Sequence, residues 1–163
     1  MKSMKNYLFI LGSAVLGLLA SCSSDDNSDS GDDGSSPVGS YNLVSVKTSK
    51  PIDADKDGVF DDTELLPFIT CTSTIALNEN QTFAWNRVQV YVMSDISDDF
   101  ICYNDSDVGV YVLTGNALQL NGDHNGLNML NKDGDKITDS SSSYFYTSNE
   151  NYEQLTVTYT YQK

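Results

Sequence analysis

Leu155, Val157, Tyr159 and Tyr161 alternate with Thr156, Thr158, Thr160 and Gln162 near the C-terminus, and this period of two constrains the fold more than any other feature of the chain. Successive side chains of a strand point to opposite faces, so such a run buries one face and wets the other. From Thr82 to Met93, Phe83, Trp85, Tyr91 and Met93 share one parity while Val88, Val90 and Val92 share the other, which predicts partial cover on both faces. Six more runs rich in Val, Tyr, Thr and Phe read as strands: Tyr41 to Thr48, Ser73 to Leu77, Phe100 to Tyr103, Val108 to Leu113, Ala117 to Leu120 and Ser143 to Thr147. Turn signals separate most of them, at Asn78-Glu79-Asn80, Asp95 to Asp99, Gly115-Asn116 and the long Gly122 to Ser142 stretch. No segment sustains a 3.6-residue period, so helix is confined to a short turn around Thr63 to Phe68. The expected fold class is all-β, with about eight antiparallel strands in one domain over 38–163, as an up-and-down barrel or a sandwich.

The residues before Pro37 cannot join that core. Lys2 and Lys5 form a basic start, and Tyr7 to Ala20 is a 14-residue apolar run, shorter than the roughly 20 residues that cross a bilayer. Residues 1–21 therefore read as a signal peptide. Leu19-Ala20-Ser21-Cys22 resembles the lipobox of bacterial lipoproteins at all four positions, which implies cleavage before Cys22 and a diacylated thiol that anchors the chain in a membrane. Ser23 to Ser36 contains only Ser, Asp, Gly and Asn. With nothing apolar to offset backbone entropy, residues 22–37 are expected to be a disordered acidic tether, holding the domain roughly 20 Å from the bilayer. Ser23-Ser24-Asp25-Asp26 also resembles the surface-export signals of Bacteroidetes lipoproteins, which implies display on the cell outer membrane.

Charge removes two partner classes. Asp and Glu number 23 against 9 Lys and Arg, a net charge of −14, and loss of the leader removes Lys2 and Lys5 as well. Such a chain lacks the cations that neutralise nucleic-acid phosphates or attract anionic lipid headgroups. No nucleic acid is expected, and the membrane contact is through Cys22. Hydrophobic residues at 39% suffice for a core.

Within the strand region, Gly39-Ser40-Tyr41-Asn42-Leu43 resembles the G-x-W/Y-x-L opening of lipocalin-like domains in Bacteroidetes lipoproteins. Asn80-Gln81-Thr82-Phe83 is similar to that family's D-G-T-F step from turn to strand. Gly109-Val110-Tyr111-Val112-Leu113 followed by Gly115-Asn116-Ala117-Leu118-Gln119-Leu120 resembles its G-x-Y-x-L and G-N-x-L-x-L pair. The resemblance implies a small meander barrel.

Once Cys22 is lipidated, Cys71 and Cys102 remain as an even pair in an exported chain, and a disulfide is expected. Loop-closure entropy gives such a bond about 3.5 kcal/mol. A Cys nucleophile would need a nearby base. His124 is the only histidine and sits in the turn sequence Asn121 to Gly126, without a G-x-S-x-G elbow or a zinc-ligand cluster elsewhere. Paired carboxylates such as Asp98-Asp99 arise readily among so many acids. The chain is not expected to be an enzyme.

The sharpest motif is Asp53 to Glu64, which fits the twelve-residue calcium loop D-x-D-x-D-G-x-hydrophobic-x-x-x-E. In that reading Asp53, Asp55, Asp57 and Asp61 supply side-chain oxygens or a bound water, Val59 its carbonyl and Glu64 two oxygens around Ca²⁺. Gly58 permits the sharp turn. Pro51 and Pro67 limit flanking helices, so the loop would stand alone. The bland alternative is a solvated acidic turn.

These readings combine into a monomeric, lipid-anchored binding module for an unknown small molecule or surface partner, with Tyr41, Phe83, Trp85, Tyr91 and Tyr111 as candidates for its interior or mouth. The competing readings are a structural or adhesive surface protein with a filled barrel and, more weakly, a hydrolase. Cavity volume separates the first two.

Overall fold

A computed structural model describes residues 36–92, 100–147 and 151–163. The expected signal peptide, Cys22 and most of the tether lie outside the described residues. The strands are β1 (Gly39–Ile52), β2 (Asp62–Glu64), β3 (Thr74–Leu77), β4 (Thr82–Val92), β5 (Phe100–Thr114), β6 (Ala117–Gly122), β7 (Gly126–Asp133), β8 (Lys136–Tyr146) and β9 (Tyr152–Gln162). Among the described residues a single 3₁₀ turn, Leu66–Phe68, holds Pro67 at its second position and is shorter than the helical turn expected at 63–68, because Asp62–Glu64 pairs with β1 instead.

Every pairing is antiparallel, and β3 to β9 follow one another around the sheet in chain order. The long first strand closes the ring. Its start, Gly39 to Asn42, pairs with β3, and Asn42 to Thr48 pairs with β9. The result is a closed eight-strand antiparallel barrel with β2 added beside β1. Closure removes the exposed edges that an open sheet would present.

The largest departures from the sequence pattern lie in β5 and in β7 with β8. Residues 100–103 and 108–113 belong to one strand, β5, because Asn104 to Asp107 pair without interruption with Val88 to Trp85 of β4. Much of the expected turn from 122 to 142 is β7 and the first half of β8, joined by the tight turn at Gly134. In β7 the inward positions include buried Leu130 and Lys132 while Leu127 and Met129 face out, so apolarity does not mark the inner face.

Inside the barrel, Trp85, Tyr41, Tyr159, Tyr161 and Phe145 are the largest fully buried side chains. Trp85 and Tyr161 meet edge to face at 6.4 Å, and Trp85 Nε1 donates to the Tyr161 hydroxyl at 3.3 Å. Burial pushes the Tyr161 phenol up to about 12, against the lowering effect of its bonds with Ser73 and Trp85.

Beyond Asn86, where its pairing with β3 ends, β4 finds partners across the barrel. The Val90 amide donates to the Tyr159 hydroxyl at 3.2 Å, and its carbonyl accepts from Ser143 Oγ at 3.0 Å. These side chains satisfy buried backbone groups that a strand would otherwise cover. Arg87 also points inward, lying 4.9 Å from the Trp85 ring centroid and 3.3 Å from Asp139. Burial raises the Asp139 carboxyl above its ordinary value, while the Arg87 charge and the Ser140 amide pull it back.

Asp107 is the other buried acid among the described residues. It accepts the amides of His124 at 3.1 Å and Asn125 at 3.3 Å, and so ties the β6–β7 turn to β5. Gly122 makes the room, since a Cβ there would stand 1.9 Å from Asp107 Oδ2. At the β3–β4 turn Gln81 adopts φ 62°, a left-handed conformation that glycine takes more easily.

Candidate functional site

The connection between β1 and β2 carries the acidic motif. Buried Ile52 and Ala54 fasten its start to the core, while Asp55 to Val59 stand in solvent. One carboxylate oxygen from each of Asp53, Asp55 and Asp57 lies within 4.8 Å of the others. The loop is shaped by its own amides: Gly58 donates to Asp53 at 3.0 Å, Asp57 to Asp55 at 3.2 Å and Val59 to Asp57 at 2.8 Å. Left-handed Lys56 (φ 64°) and Gly58 (φ 89°) let the chain reverse so that these bonds form. Asp62, which the motif does not single out, accepts the amides of Ala54 at 3.0 Å and Asp55 at 3.3 Å and closes the loop at its base. The Asp57 amide is the largest single influence on the Asp55 carboxyl and lowers it. Desolvation with the charges of Asp57, Asp62 and Asp53 outweighs that pull, leaving Asp55 above its ordinary value.

Glu64, expected as the twelfth-position ligand, is bonded elsewhere. Its carboxylate accepts the Ser45 hydroxyl at 2.5 Å and the amides of Val46 at 2.8 Å and Leu66 at 3.2 Å. It fastens β2 to β1 while the three aspartates gather without it. Asp61 is exposed, and Val59 presents its side chain to solvent.

A pocket of about 380 Å³ opens between this loop and one end of the barrel. The loop contributes Asp53, Lys56, Gly58 and Phe60 to its lining. The barrel contributes Ile52 at the end of β1, Phe100 at the start of β5, Phe145 and Tyr146 at the end of β8, and Tyr152 at the start of β9. Tyr146 and Tyr152 are directly opposed across the β8–β9 pair, with ring centroids 5.4 Å apart and planes at 60°. Phe60 stands 6.3 Å from Tyr146, tilted by 47°. The three rings form a corner.

None of the five aromatic residues proposed from sequence lines this pocket. Tyr41, Phe83, Trp85 and Tyr111 are buried in the core, and Tyr91 is exposed. The Tyr111 hydroxyl donates to the Asn78 carbonyl at 3.0 Å and that of Tyr41 to the Pro37 carbonyl at 2.8 Å, so both rings also fasten connections. The lining residues were not legible as a group because they come from five separate strand ends and loops. Their shared signal is aromatic character beside an acidic or Asn-Glu-rich connection.

Cys71 and Cys102 form a disulfide with Cα atoms 6.0 Å apart, joining β5 to the segment before β3. His124 is 72% exposed in the β6–β7 turn, its Nδ1 3.9 Å from Asp107 Oδ1. Comparison with known proteins finds no matching family model, no matching curated protein and no matching solved structure.

Proposed function

We propose that the chain is a lipid-anchored cell-envelope protein whose lipocalin-like barrel binds a small molecule in the pocket beneath the Asp53 loop. One observation carries this reading: a pocket of about 380 Å³ lined by five aromatic rings and a few polar groups at the end of a closed barrel. Ligand sites run from about 300 to 1,000 Å³ with the same mixture of apolar walls and sparse polar groups. The anchor is supported by the sequence Leu19-Ala20-Ser21-Cys22, and surface display on the outer membrane by the acidic residues that follow. A single histidine in the sequence, without a G-x-S-x-G elbow or a zinc-ligand cluster, supports a binding module over an enzyme, and no catalytic role is assigned to His124.

Calcium belongs to the same proposal. The motif from Asp53 to Glu64 and the gathering of Asp53, Asp55 and Asp57 suit a hard cation that takes oxygen ligands. With Glu64 committed to β1, the loop lacks its bidentate member. Affinity is therefore expected at or beyond the weak extracellular range, with Kd of about 10⁻³ M. Bound calcium would stiffen the connection that walls the pocket.

A second reading, a structural or adhesive surface protein, is favoured by the packed interior and by the apolar residues Val108, Val110, Val112, Leu127 and Met129 on the outer wall. Native mass spectrometry of the protein extracted from its host membrane separates the two. The binding reading expects an acylated chain carrying a further noncovalent mass; an acylated chain alone favours the structural reading.

A further inference from the structure

We propose that the pocket selects organic cations, taking a substituted ammonium group against the ring corner of Phe60, Tyr146 and Tyr152. This rests on the reading of the pocket as a ligand site and names the class of its ligand. Aromatic faces carry negative quadrupole density and attract cations most strongly where water is excluded. The Tyr146 ring is tilted by 47° to Phe60 and by 60° to Tyr152, so the corner offers faces in different directions, as a compact cation requires and a stacked flat ligand does not. Two of these rings, Tyr146 and Tyr152, are 42% and 44% exposed, so their surfaces are open to a ligand while Phe145 behind them is buried.

The charge around the corner has the matching sign. Asp53 lines the pocket, and its loop gathers one carboxylate oxygen from each of Asp53, Asp55 and Asp57 within 4.8 Å of the others. Asp53 Oδ2 is held by the Gly58 amide, whereas its buried Oδ1 accepts no hydrogen bond among the described residues. A buried carboxylate oxygen left in that condition is costly, and a nearby positive charge relieves it. Lys56 brings one positive charge to the lining, against several carboxylates in the same loop. The chain's net charge of −14 would also steer cations toward it at low ionic strength.

The test compares choline with 3,3-dimethylbutan-1-ol, which has the same shape and hydroxyl but no charge. Both are titrated calorimetrically into the detergent-extracted full protein, with chelator present and a micelle blank. The proposal expects choline to bind at millimolar concentration, the neutral isostere at least about tenfold more weakly, and Tyr152→Leu and Asp53→Asn each to weaken choline about fivefold to tenfold. Thermal melts identify either variant that fails to fold, in which case Tyr146→Leu takes its place. Equal binding of the two probes, or binding of the isostere alone, overturns cation selection and leaves the pocket reading standing. Choline binding that ignores all the variants places the cation elsewhere and also overturns the proposal. Binding of neither probe up to about 10 mM overturns it too, and the retained mass of the extracted protein then decides the pocket reading separately.

Discussion

Replacing Glu64 distinguishes a calcium ligand from a strand fastener. Its carboxylate accepts three hydrogen bonds, from the Val46 and Leu66 amides and the Ser45 hydroxyl, and Val46 itself is fully buried. Hydrogen bonds to a charged group contribute about 1.5 to 3 kcal/mol each, toward the lower end where the group is partly solvated as here. Some of that loss is recovered when water reaches the Leu66 amide and the Ser45 hydroxyl. Glu64→Ala is therefore expected to cost about 3 kcal/mol. Glu64→Gln keeps an acceptor oxygen for the amides and turns the Ser45 contact into a donor-to-hydroxyl bond, for about 1 kcal/mol. For a domain of this size 1 kcal/mol corresponds to about 3 to 5 °C, so the two variants should melt roughly 10 to 15 °C and 3 to 5 °C below wild type. Differential scanning fluorimetry with millimolar calcium and with chelator supplies the decisive comparison. Because Glu64 faces β1, its loss should lower the melting temperature by the same amount in both buffers. A Glu64→Gln variant that melts like wild type in chelator but loses any calcium-dependent stabilisation would refute this reasoning and return Glu64 to the loop as a ligand.

Reducing the Cys71–Cys102 bridge, or substituting Cys71→Ser with Cys102→Ser, should lower stability by about 3.5 kcal/mol, read as a drop of roughly 10 to 18 °C in the melt; an unchanged melt would show that the bridge constrains nothing in the unfolded chain. Tyr161 has a folded value of about 12 against an ordinary 10, so the fold retains its proton where the unfolded chain has lost it. Its contribution is complete below pH 10 and disappears as pH rises to about 12, at most about 2 to 3 kcal/mol; Tyr161→Phe should flatten that limb of the stability profile, and a profile identical to wild type would assign the alkaline loss to other groups. Cys22→Ala should move the protein from the membrane to the soluble fraction on detergent partitioning, and unchanged partitioning would remove the lipid anchor.

The sequence made some strands easy to read and hid others for specific reasons. β9 was legible because Leu155, Val157, Tyr159 and Tyr161 all face the core and threonines face out. β7 was not, since buried Lys132 lies on its inner face, its Nζ donating to the Gly134 carbonyl at 2.8 Å, while Leu127 and Met129 lie outside. β5 was read as two runs because the polar residues Asn104 to Asp107 separate them, the last of which carries a buried carboxylate. Two loop amides instead satisfy that carboxylate inside the barrel wall, a long-range contact that no local pattern records. The acidic loop was legible in Asp53, Asp55 and Asp57 because their bonds are local, within five residues. Glu64 was not, because its partners, Ser45 and Val46, belong to the strand before the loop. The pocket follows the same rule: Phe60, Tyr146 and Tyr152 become neighbours only when the barrel closes and β8 pairs with β9.

The central claim, that this barrel holds a small molecule beneath the Asp53 loop, is tested most directly by native mass spectrometry of two proteins extracted from the same host membrane: wild type and a Tyr146→Ala, Tyr152→Ala double variant. Both side chains are more than 40% exposed, so the variant is expected to fold with nearly unchanged stability while losing two walls of the pocket. The account predicts a noncovalent mass on the wild-type chain that is lost or greatly reduced on the variant. A bare wild-type chain, or the same mass retained equally by both, would contradict it.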